Sequence, residues 1–156
     1  MLLNFKMKNF KSFRNETIYT MLSSMQKTHS DYVINQMVCG NKLRVLPMSV
    51  IYGANASGKS NIIFAMYILK KMVTEGTLAN RELENYKNVL SYIRDHNWYK
   101  PVELEITFAT LENIYRYGLC FTGVDTYCIA EEYLLMIVKF FIEIRKIRFK
   151  CQFIFW

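Results

Sequence analysis

The feature that most constrains this chain is eight residues long. Gly53-Ala54-Asn55-Ala56-Ser57-Gly58-Lys59-Ser60 satisfies the spacing G-x-x-x-x-G-K-[ST] in full. Four fixed positions of these types recur by accident in roughly one chain of this length in two hundred. The flanks narrow the choice further. Val50-Ile51-Tyr52 is a short apolar run that reads as a buried strand, with Pro47 marking where it begins. A helical pattern follows over residues 59–75, with Gly76 as its stop.

Strand, glycine-rich turn and helix, in that order, make a phosphate-binding loop, and each residue type has a reason to be there. Gly53 lets the backbone leave the strand sharply. The N–H groups of residues 55–60 turn inward as an anion nest that opens onto a helix N-terminus. Gly58 leaves the backbone bare for a close approach. Lys59 reaches the β- and γ-phosphates as a point charge, and the Ser60 hydroxyl is the expected magnesium ligand.

Composition sets the frame. One domain is expected for 156 residues, and a hydrophobic content of 52% is enough for a real core and excludes a disordered chain. Cys39, Cys120, Cys128 and Cys151 form no C-x-x-C pair and have no histidine at metal spacing, so they read as free thiols in a reducing cytoplasm. Residues 1–10 alternate polar and apolar, unlike a signal peptide. The greasiest run, residues 133–144, is too short for a bilayer and contains Lys139 and Glu143. Neither feature points to a membrane.

The net charge of +7 resides at the ends. Lys6, Lys8, Lys11 and Arg14 give +4 at the start; Lys139, Arg145, Lys146, Arg148 and Lys150 against Glu143 give +4 at the finish. Basic ends of this kind are weak support for a nucleic-acid surface.

Periodicity places the rest. Leu3, Phe5 and Met7 alternate with polar residues as a half-buried strand. Residues 9–15 form a polar turn, and residues 16–22 return as a second strand in a hairpin. Residues 23–40 lack a clear period and read as an exposed loop with a short irregular element. Residues 62–69 are apolar on every face but the Tyr67 hydroxyl, which predicts a helix buried within a layered core. Asn80 caps a second helix over residues 81–94. From Val102 the period becomes two: residues 102–108, 114–121 and 126–135 read as an antiparallel meander, with turns at 111–113 and 122–125.

This order resembles the N-terminal part of ABC-type ATPase heads of the SMC/RecF kind. More closely, it resembles the bacterial AAA family ATPases found in phage-defence and OLD-like systems. The resemblance rests on Asn9-Phe10-Lys11-Ser12-Phe13 and on Tyr52 through Ser60 followed by Asn61. Tyr115-Arg116-Tyr117-Gly118 and Glu131-Glu132-Tyr133-Leu134 add weaker matches, and the likeness covers residues 1–135. It implies an α/β P-loop NTPase half that uses ATP and magnesium. It also implies two heads clamped as a homodimer around nucleotide, with residues 11–13 near the adenine or ribose.

Other family parts are missing. No apolar run ends in Asp-Glu; Phe140-Phe141-Ile142-Glu143 is the nearest approach. There is no Leu-Ser-Gly-Gly-type signature, no convincing glutamine loop (Gln152 is a poor one) and no switch histidine. Without these parts a phosphate loop binds well and hydrolyses poorly. Residues 136–156 are an atypical basic apolar tail. With AT-rich codons, residues 136–146 can be read in a shifted frame as Asp-Ser-Lys-Val-Leu-Tyr-Arg-Asn-Lys-Glu. The expectation is therefore a frameshifted, truncated, non-catalytic remnant as the alternative to a working ATPase. A small P-loop kinase or GTPase is disfavoured, because the meander offers no acidic residue on a second parallel strand.

Blander readings cover the remaining polar residues. Lys11 and Arg14 suit a solvated turn. His29 and His96 have no partner at catalytic spacing. Glu131 and Glu132 suit edge-strand charges that deter aggregation.

Overall fold

Alternation decides the first strand. In the computed structural model, which describes residues 1–24, 30–75, 92, 100–122, 128–138 and 141–147, strand β1 is Leu2–Lys8. Leu3, Phe5 and Met7 are buried, and Asn4, Lys6 and Lys8 face the other way. Strand β2, Thr17–Thr20, pairs antiparallel with β1 and forms the sheet edge.

Four more strands continue the sheet: β5 (Val102–Ala109), β6 (Ile114–Thr122), β7 (Cys128–Val138) and β8 (Phe141–Ile147). The order is β2-β1-β5-β6-β7-β8, and every neighbouring pair is antiparallel. Residues 136–138 and 141–147, from the stretch that sequence sets apart as a tail, thus lie within β7 and β8. The helix expected over 81–94, the Gly76 stop, most of the 122–125 turn and residues 148–156 lie outside the described residues.

Across β1, β5 and β6 the sheet has one greasy and one charged face. On the charged face Lys8 Nζ meets Glu103 at 2.8 Å, its register partner in β5. Lys6 lies 3.7 Å from Glu105 and 3.5 Å from Glu16, and Arg116 sits 3.8 Å from Glu105. These pairs are partly exposed, so each adds little stability, but together they keep this face wet.

Helix α1, Lys59–Glu75, covers the greasy face. Ala65, Ile68, Leu69 and Met72 pack on Phe5, Met7, Phe10, Val102, Leu104, Leu119 and Phe121. The expectation of burial on every side needs correction. Ile63 and Tyr67 are exposed on the outer side, so α1 is a two-faced helix on one sheet rather than the inside of a sandwich.

Residues 23–40 also need correction. They include a 3-10 turn at Ser30–Tyr32 and strand β3 (Ile34–Val38), which pairs with β4 (Asn41–Val45). Cys39 and Gly40 join the two strands with φ of 51° and 73°, the paired positive values that suit a tight hairpin turn. Val38 and Val45 then bury against Leu3 and Ala109. The hairpin therefore caps one end of β1 while α1 covers the other.

Candidate functional site

Residues 53–58 leave the hairpin side of the molecule and deliver the chain to α1. The approach differs from the expected buried strand. Residues 48–52 belong to no strand, and Met48, Val50 and Tyr52 are 73%, 71% and 90% exposed. Strand propensity in Val50-Ile51-Tyr52 is satisfied only when a neighbouring strand supplies the ladder bonds. Among the described residues none lies alongside them in that way.

The loop is a turn followed by a helix start. Ser57 N–H donates to the Ala54 carbonyl at 3.3 Å, closing a turn with Asn55 and Ala56 at its centre. Ala56 has a φ of 61°, in the left-handed region at the third turn position. Among the described residues Ser57 is the one member of the row 55–60 whose N–H meets a main-chain carbonyl outside the helix. Asn61 N–H, just beyond the row, donates to the Gly58 carbonyl at 2.9 Å. The remaining amides of the row are thus not consumed by the protein's own backbone, which is the condition for an anion nest at a helix N-terminus.

The two glycines play different parts. Gly53 is near-extended, and a Cβ there would lie 3.1 Å from Ser57 Oγ, a hydroxyl that can turn aside. Gly58 has a φ of 92°, and a Cβ there would come within 2.5 Å of Ser12 Oγ and 3.4 Å of the Phe13 ring. Sequence reading assigns the bareness of Gly58 to an approaching phosphate. The structure also assigns it to the 10–13 turn, which already leans on that spot.

Lys59 Nζ donates to the carbonyls of Gly53 and Ala54 at 2.7 and 2.6 Å. The ammonium is therefore held at the loop by its own backbone, with charge available to a phosphate that competes for it. Ser60 lies in the first turn of the helix and is exposed, while Asn61 is half-buried and donates its amide to Ser12 Oγ. Gly53, Ala54, Asn55, Ala56, Ser57, Gly58, Lys59, Ser60 and Asn61 thus form one continuous surface. This set suits a polyphosphate: amide donors, one ammonium and a hydroxyl at a helix start where magnesium would sit. Among the described residues no group of three or more His, Cys, Asp or Glu side chains could hold a metal by itself.

The 10–13 turn packs against the loop at Gly58 and Asn61. Phe10 and Phe13 exchange backbone hydrogen bonds of 2.9 and 2.8 Å around Lys11 and Ser12. Phe10 is fully buried, so this is not the wholly polar turn its neighbours suggest. Asn9, with a φ of 51°, is buried, and its side-chain amide donates to the carbonyls of Lys100 and Pro101 at 2.9 and 3.2 Å. That anchoring role is invisible in sequence, since residues 9 and 100 meet only through the β1–β5 register. Lys11 Nζ lies 4.7 Å from the centre of the Phe64 ring in α1, and burial lowers its pKa from 10.5.

His29 and His96 lie outside the described residues. Glu131 and Glu132 fall in β7, across from Cys120 and Leu119 in register. No helix among the described residues is long and apolar enough to cross a membrane.

Comparison with known proteins gives one family. Residues 48–130, just over half of the chain, match the family model for an AAA domain of the AbiEii toxin, Type IV toxin–antitoxin kind. The match begins within the exposed run ahead of the loop and takes in α1, β5 and β6. No curated protein matches the chain.

Proposed function

Because the chain belongs to the AAA-domain family with AbiEii toxin-like members, we propose that it binds magnesium–ATP through residues 53–61. The observation that carries this reading is the loop itself. A row of amides not taken up by the backbone runs into the N-terminus of α1, with Lys59 fastened beside it. The loop amides and Lys59 hold the phosphates, and Ser60 holds the magnesium ion. Bound magnesium would neutralise phosphate charge, and this chain's own part is to bind and orient.

On this reading the protein is the N-terminal part of an ABC/SMC-like head of a phage-defence or DNA-maintenance ATPase. It works in the cytoplasm, where a nucleotide clamps two such heads together. A second reading keeps nucleotide binding but not turnover. Its protein-association form has one specific support: Met48, Val50 and Tyr52 stand exposed ahead of the loop, a surface that a partner would cover. A non-catalytic module that binds nucleotide weakly, or that associates with another protein, accounts for that surface.

Equilibrium binding and turnover of magnesium–ATP, measured for wild type and Lys59→Ala, separate these cases. Binding that disappears in Lys59→Ala supports the phosphate loop, and comparable binding in both removes it. Turnover in wild type that Lys59→Ala abolishes favours the ATPase; binding without turnover favours the non-catalytic module.

A further inference from the structure

Ser12 touches the phosphate loop twice and belongs to no part of it. Its Oγ accepts a hydrogen bond of 2.9 Å from Asn61 Nδ2, on the first turn of α1. The same Oγ occupies the space where Gly58 would carry a Cβ, 2.5 Å away. These two contacts bracket Lys59 and Ser60. Ser12 is itself held firmly from behind. It sits in a turn closed by two backbone bonds, next to a fully buried Phe10, on a strand end pinned by Asn9 to residues 100 and 101.

We propose that Ser12 is a positioning residue: through Asn61 and Gly58 it fixes the attitude of the helix-start amides so that they converge on a phosphate. The proposal rests on the nucleotide-binding reading above and adds to it the link that ties the loop to the sheet. The loop has few other supports, since the run before it lacks strand pairing and the loop residues 53–57 are exposed. Ser12 supplies a restraint from the turn that follows β1. Because it acts through the phosphate-gripping amides, its effect should not depend on the nucleoside.

The test measures dissociation constants of magnesium–ATP and of inorganic tripolyphosphate. It uses the full chain as wild type, Ser12→Ala, Ser12→Thr, Asn61→Ala, the Ser12→Ala/Asn61→Ala double variant and Lys59→Ala. Ser12→Ala and Asn61→Ala should each weaken both ligands about fivefold, the weight of one hydrogen bond. The double variant should be no worse than either single one, because the two residues act as a unit. Ser12→Thr, which keeps the hydroxyl, should restore wild-type affinity, and the thermal midpoint should stay unchanged throughout. Three results overturn the proposal: additive losses in the double variant, a loss for ATP but not for tripolyphosphate, or no loss in Ser12→Ala while Lys59→Ala abolishes binding. Failure of wild type to bind either ligand is a different result, and it removes the nucleotide reading itself.

Discussion

Ala56 holds a φ of 61°, which an L-residue adopts at a cost of about 1 kcal/mol. Ala56→Gly should therefore raise stability by up to about that amount, less the added entropy of an unfolded glycine. Chemical denaturation reads the difference. Gly58→Ala goes the other way. It meets both a φ of 92° and the Ser12 hydroxyl, and should cost about 2 kcal/mol or distort the loop enough to weaken nucleotide binding.

The hydrogen bond to Glu103 raises the Lys8 pKa above 10.5. A raised lysine contributes stability that is complete below its unfolded value and is lost as pH climbs through the folded value. Stability should hold through neutral pH and then fall above about pH 10.5, and Lys8→Met should remove that alkaline fall. Lys11 has the opposite sign, because burial disfavours its charge: the folded state carries the penalty at neutral pH and sheds it as Lys11 loses its proton. Urea midpoints at neutral and alkaline pH for wild type, Lys8→Met and Lys11→Met separate the two.

At the scale of elements, α1 is the clearest case. Ile68 is fully buried at the centre of the contact with Phe5, Leu104 and Phe121. Ile68→Ala should cost about 3 kcal/mol, read as a drop in the urea midpoint with little change in slope. Ile63→Lys, on the exposed side, should cost less than about 0.5 kcal/mol. The bounds of this helix were legible because a phosphate loop fixes its start and the apolar run its extent. Its environment was not, since a run apolar all round says that partners are wanted without saying that they are present. Strands β1 and β5 were legible for a different reason: period-two alternation survives wherever one face is charged and the other buried, as in Lys6, Lys8, Glu103 and Glu105 against Phe5, Met7 and Leu104. Hairpin β3–β4 was missed because its faces are mostly exposed and its turn rests on Cys39, an uncommon residue at positive φ. The phosphate loop was read from its motif, yet the closeness of Ser12 to Gly58 was not, because contact across 46 positions depends on the whole sheet.

For the molecule as a whole, the decisive fact is an imbalance between its two sides. Around β1 every demand is met: Leu3 is covered by the β3–β4 hairpin, Phe5 and Met7 by α1, and the lysines by glutamates of β5. Ahead of the phosphate loop, Met48, Ser49, Val50 and Tyr52 are exposed and Ile51 is half-buried, so an apolar run stands in solvent. An exposed run of strand-forming residues with no ladder partner among the described residues is a template for another strand. The chain should therefore self-associate through residues 48–52 as its concentration rises. Replacing Val50 and Tyr52 together by lysine and serine should shift it toward monomer in sedimentation velocity while leaving the thermal midpoint in place, since neither side chain supports the core. A matched pair of changes on the outer side of α1, Ile63→Lys with Tyr67→Lys, serves as the comparison. If that pair produces the monomer and the Val50/Tyr52 pair does not, association runs through the helix and the strand-template argument is wrong. If the Val50/Tyr52 pair alone does so, the run ahead of the phosphate loop is where this fold takes on a further strand.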